Sequence, residues 1–138
     1  MKVKCIANSG DSIINFARQA FTYTEMSKFG LVKVGQEYLT MGMIMINGSL
    51  VYVVDSNSTV GCVPAPLFEI IDNKLDPNWH FNLTITKEND IRDVISIWGY
   101  YELCFEKDHI YHLINGEEKA LNNYFEKKIL YEKYLEDQ

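Results

Sequence analysis

Residues 37–46 and 50–55 are two apolar runs of strand length separated by Asn47-Gly48, and this pair narrows the fold more than any other feature. Asn and Gly tolerate the positive φ angles of a type I′ turn, whose twist matches that of paired strands, so the two runs are expected to fold back as a hairpin. Asp55-Ser56-Asn57-Ser58 marks a second turn, leading into a short third strand at 60–63. Pro64 and Pro66 stop that strand, because proline donates no ladder hydrogen bond. A strand is expected to resume at 67–71. Ahead of the hairpin, residues 2–8 place Val3, Cys5 and Ala7 on one face in strand alternation. Ser12 can cap a short helix over 13–20, where Ile13, Phe16, Ala17 and Ala20 recur at helical spacing.

Beyond Asp72 the pattern changes. Residues 73–78 are a connector, and Trp79, Phe81, Leu83 and Ile85 then alternate with His80, Asn82 and Thr84 as in a half-buried strand. Trp79 and Phe81 are expected to serve as core or cover, the usual fate of large aromatics. Residues 87–93 read as a charged surface turn, and 94–105 are dense in apolar and aromatic residues. Asp108 can cap a short helix through Ile114, ended by Asn115-Gly116. From Glu117 onward, Ala120, Leu121, Tyr124, Tyr131 and Leu135 fall on one helical face, widened by Phe125 and Ile129.

The 138 residues and an ordinary apolar content of 47% suit one domain with one core. A formal net charge of −6 means a phosphate backbone is repelled on average, which argues against direct nucleic-acid binding. Residues 1–63 carry five cations against four anions, so the acidic excess lies beyond Val63. No window approaches the roughly 18 consecutive apolar residues of a membrane span and no signal core opens the chain, so a cytosolic protein without membrane contact is expected. Cys5, Cys62 and Cys104 are odd in number and far apart, the pattern of reduced, mostly buried thiols.

Residues 31–71, with the strand at 2–7 ahead of them, resemble an SH3-like barrel. The likeness rests on Gly35-Gln36-Glu37-Tyr38 before the hairpin and on Val63-Pro64-Ala65-Pro66-Leu67-Phe68 as a proline-containing turn between the last two strands. It implies a single α+β domain in which residues 1–72 form an SH3-like β-barrel of about five strands. Residues 73–138 would then add a strand and a C-terminal amphipathic helix packed on the barrel. The whole chain also resembles small bacterial and prophage proteins, immunity-type proteins among them. SH3 domains that grip polyproline use an aromatic ladder. Here Ala7-Asn8, Leu50-Val51 and Leu67-Phe68 stand at the ladder positions, so the proline corner is read as closing the barrel.

Motifs for chemistry are sparse. Cys104, His109 and His112 give Cys-x4-His-x2-His, one ligand short of a structural zinc site. There is no Gly-x-Ser-x-Gly elbow and no Gly-x-x-x-x-Gly-Lys loop. No catalytic constellation, metal or cofactor is therefore expected. Two features point to binding. Met41, Met43 and Met45 alternate, which puts them on one strand face with Ile44 and Ile46 on the other, a soft patch unless another element covers it. Asp72, Asp76, Glu88, Asp90 and Asp93 bracket the Trp79 strand in loops suited to a basic partner. The expected function is a small protein-binding module, most concretely an immunity-type inhibitor masking a basic toxin or nuclease. One alternative is a prophage or host regulatory adaptor binding a protein or peptide, and another is a metal- or small-ligand-binding enzyme using Cys104, His109 and His112.

Overall fold

The computed structural model describes residues 1–8, 29–46, 48–85 and 94–138. The helix expected at 13–20 lies outside them. The strands are β1 (Lys2–Cys5), β2 (Glu37–Leu39), β3 (Gly42–Ile46), β4 (Ser49–Ser56), β5 (Thr59–Pro64), β6 (Phe68–Asp72), β7 (His80–Ile85) and β8 (Val94–Gly99). The helices are α1 (Tyr101–Phe105), α2 (His109–Ile114) and α3 (Glu118–Glu136). Two antiparallel sheets form, one of three strands in the order β2-β1-β6 and one of five in the order β5-β4-β3-β8-β7. They are separate sheets and do not close into a barrel, which corrects the expectation of closure while keeping the α+β class and the C-terminal helix.

The turns follow the residues that form them. Gly48 takes a φ of 82° beside the Ile46–Ser49 pair, as the Asn-Gly signal requires, although Asn47 itself lies outside the described residues. Asn57 and Ser58 both have positive φ, 50° and 66°, closing the tight β4–β5 turn between the paired Ser56 and Thr59. Pro64 ends β5, and Ala65–Leu67 make one 3-10 turn before β6. The single run expected over 37–46 is broken at Thr40 and Met41: β2 pairs with β1, whereas β3 pairs with β4 and β8.

β4 explains the layering. Val51 and Val53 face the helices, and Tyr52 and Val54 face the three-stranded sheet, so its apolar run is continuous rather than alternating. On the helix side, Ile44, Ile46, Val60 and Cys62 meet Leu103, Ile110, Leu113, Tyr124 and Tyr131. On the other, Val3, Cys5, Tyr38, Leu67 and Phe68 close over Tyr52, Val54 and Val63. Ala120, Tyr124 and Tyr131 of the α3 stripe are buried as expected, but Ile129 is exposed and does not widen it. No helix among the described residues is long and apolar enough to cross a membrane.

The amino group of Met1 lies against α3, donating to the Lys74 carbonyl (2.6 Å) and to the Tyr131 hydroxyl. Desolvation lowers its pKa from 8.0 to about 6, against the opposing pull of Asp72 and Asp76. His109 is also held below its ordinary value, first by burial. Both groups bind fewer protons folded than unfolded, so stability rises with pH through their folded pKa values and is lost on acidification. The amine's share is on the order of 1 kcal/mol. In the 138-residue chain with a free amine at Met1, the urea midpoint is expected to be lower at about pH 5.5 than at about pH 8. A midpoint unchanged or higher at the acid end would contradict this assignment.

Candidate partner-binding face

β8 and β7 extend the five-stranded sheet beyond the three-stranded sheet that covers its far end. Cross-strand pairing aligns Val63, Tyr52, Met43, Trp98 and Phe81 in one row on the face opposite the helices. The row passes from buried Val63 and Tyr52, through partly buried Met43 and Trp98, to Phe81, which is 50% exposed. A parallel row runs Leu50, Met45, Ser96 and Leu83, and ends with Leu83 55% exposed. The Phe81 and Trp98 rings meet at 4.9 Å, so the exposed end is an aromatic platform rather than scattered side chains.

Phe81 is therefore not the cover it was expected to be. The opposite, more polar face of β7 is the one packed on by a helix. Asn82 Nδ2 donates to the carbonyl of Cys104 in α1 (2.7 Å), and the His80 ring lies 5.6 Å from that of Tyr101 and 5.8 Å from that of Phe105. Trp79 precedes β7, packs on Tyr131 at 5.9 Å and is partly buried against the helix-side core. The alternation was legible, but which of its faces would be covered was not.

The methionines also separate. Met41 lies outside β3 and is 1% exposed in the helix-side core beside Ile44 and Ile46. It does not share a face with Met43, because the chain crosses between sheets at this point and the strand alternation starts only at Gly42. Met43 packs toward the three-stranded sheet and Met45 is half-buried. Of the acidic residues, Asp72 accepts from the Lys74 amide (3.0 Å) and Asp76 from the Asn78 amide (2.9 Å), shaping the connector into β7. Glu88, Asp90 and Asp93 lie outside the described residues, between β7 and β8 in sequence.

Cys104, His109 and His112 do not converge. The Cys104 thiol points at the carbonyls of His80, Ile97 and Gly99. The His109 ring is buried between the Tyr100 hydroxyl, 2.7 Å from Nε2, and Glu106, 3.3 Å from Nδ1. With the imidazole neutral, Nδ1–H faces the carboxylate and Nε2 accepts from the phenol, so both nitrogens are used internally. His112 is exposed and pairs with Glu117. Among the described residues no group of three or more His, Cys, Asp or Glu could hold a metal ion.

Desolvation raises the pKa of the Cys5 thiol and pushes that of Cys104 up to about 11, away from the thiolate form that reacts. All three cysteines are buried. A thiol-specific chromogenic reagent at neutral pH is expected to label none of them within minutes in the native protein and all three after denaturation. Rapid native labelling of Cys104 would contradict this packing.

No protein-family model matches the chain, no curated protein matches it, and no solved structure matches it.

Proposed function

We propose that the chain is a small protein-binding module that acts in the cytosol by masking a basic partner, most concretely as an immunity-type inhibitor of a basic toxin or nuclease. The observation that carries this reading is the half-exposed Phe81 and Leu83 pair, continued inward by Trp98, Met43 and Met45. Contiguous apolar surface of this kind on a charged protein marks a contact surface. The formal charge of −6 supplies long-range attraction for a basic partner, and the aromatics supply the short-range affinity.

The SH3-like frame belongs to the same proposal. Supporting it are the position of β1 between β2 and β6, the passage of the chain from β2 in one sheet to β3 in the other, and the 3-10 turn between β5 and β6. The β7–β8 hairpin pairs on β3 and would be the addition that creates the binding face.

Affinity capture from the cell of origin at low and at high salt, read by mass spectrometry, tests the reading. A basic protein recovered near equal stoichiometry at low salt, with an association rate that falls steeply as salt rises, is expected. A partner whose association rate is indifferent to salt would favour the adaptor reading instead.

A further inference from the structure

We infer that the partner engages this face by strand addition: an extended segment with alternating apolar residues and basic flanks pairs along the outer edge of β7. The inference rests on the binding reading above and adds to it the mode of contact and the chemistry of the ligand.

β7 is the last strand of its sheet, and its six residues pair with β8 without a register shift. Among the described residues no strand pairs with its outer edge. The other sheet edges are protected in recognisable ways. β5 ends at Pro64 and runs into the 3-10 turn, and β2 is three residues long. β6 carries Glu69 and Asp72, and its pairing with β1 shifts register between Lys2 and Val3. The β7 sequence, His-Phe-Asn-Leu-Thr-Ile, has no proline, glycine, lysine or carboxylate to discourage pairing.

The two faces flanking that edge are also prepared. A strand laid beside β7 would set alternate side chains next to Phe81 and Leu83 on one face. On the other face it would meet the aromatic rim of α1, where Tyr101 and Phe105 are exposed beside His80. Backbone hydrogen bonds would supply affinity and these two linings the selectivity.

Charge decides the occupant. Asp76 precedes β7, and Glu106 and Asp108 lie with Phe105 along the groove that Asn82 helps to line, with Lys107 the cation among them. Two copies of the chain, each with a formal net charge of −6 over its whole length, would repel on average, so a basic segment is favoured over self-pairing.

The test selects ligands from a displayed library of peptides with alternating apolar positions and lysine flanks, then resynthesises the best one with N-methylated amides along either edge. Methylation along one edge is expected to weaken binding at least about tenfold and along the other edge to change it little, because a strand pairs through one edge only. Phe81→Lys, at an exposed site where folding is checked by circular dichroism, is expected to weaken binding about as much. Equal binding by both methylated peptides would overturn strand addition while leaving a Phe81-dependent contact face in place. A library yielding no ligand would also overturn it, as would sedimentation showing a dimer of this chain that Phe81→Lys abolishes. A methylation-sensitive peptide found where no basic protein is captured from the cell would retain strand addition and remove the basic-protein reading.

Discussion

Asp55→Ala is expected to destabilise the fold by about 3 kcal/mol, lowering the thermal midpoint by roughly 10 °C. Asp55 extends from the end of β4 toward α3, where its Oδ1 accepts from the Tyr124 hydroxyl at 2.8 Å and both oxygens accept from Lys128 at 2.9 Å. The carboxylate is 10% exposed, and the Tyr124 ring is fully buried. Removing the carboxylate leaves a buried phenol without its acceptor, the expensive half of a broken hydrogen bond. Lys128 is partly exposed and can turn to water, so the phenol carries most of the loss. Asp55→Asn keeps an acceptor and should cost about half as much. Chemical denaturation of the three proteins distinguishes the cases, and an Asp55→Ala variant as stable as the parent would show that this tie between sheet and helix contributes nothing.

Gly42→Ala should lower stability by about 2 kcal/mol and Leu103→Ala by about 3 kcal/mol, with the double variant losing well under the sum of the two. Gly42 and Gly99 face each other across β3 and β8. A Cβ at Gly42 would stand 2.3 Å from Leu103 Cδ2 and 3.2 Å from the Trp98 carbonyl oxygen; one at Gly99 would stand 2.6 Å from the same methyl. The paired glycines thus form the floor on which α1 rests, and their role is close approach rather than unusual backbone angles. Leu103 is buried and must turn its methyl aside, while the Trp98 carbonyl oxygen is backbone and cannot, so overpacking is felt. Once Leu103 is truncated, the shortest of these contacts is gone. Losses that simply add would contradict this contact. The same seat holds α1 where Asn82 reaches the Cys104 carbonyl and where Tyr101 and Phe105 flank His80, so the geometry beside β7 depends on it.

Much of the first half was legible because its signals are local. Gly48, the Asn57-Ser58 turn and the prolines act through φ angles and missing donors. The tyrosine stripe of α3 was readable from its period, since Tyr124 and Tyr131 are seven residues apart and both buried. The break at Thr40 and Met41 was not readable, because an apolar run lining two cores in succession looks like one long strand. Residues 101–105 were equally opaque. Their helix is five residues long, too short to show a period, and depends on the distant Gly42–Gly99 seat. The Asp55–Lys128 tie spans 73 positions and has no local mark. Alternation at 79–85 showed that one face is apolar, but a pattern of period two carries no information about which face a later helix will cover.

Parallel capture with the wild-type chain and a Phe81→Asp, Leu83→Asp variant tests the central claim most directly. Both residues are half-exposed, so the variant should fold, with circular dichroism and a denaturation midpoint close to the parent. A basic protein recovered near equal stoichiometry by the wild type and depleted at least about tenfold from the variant is the result this account requires. The same protein recovered equally by both would contradict it and place the contact on another surface.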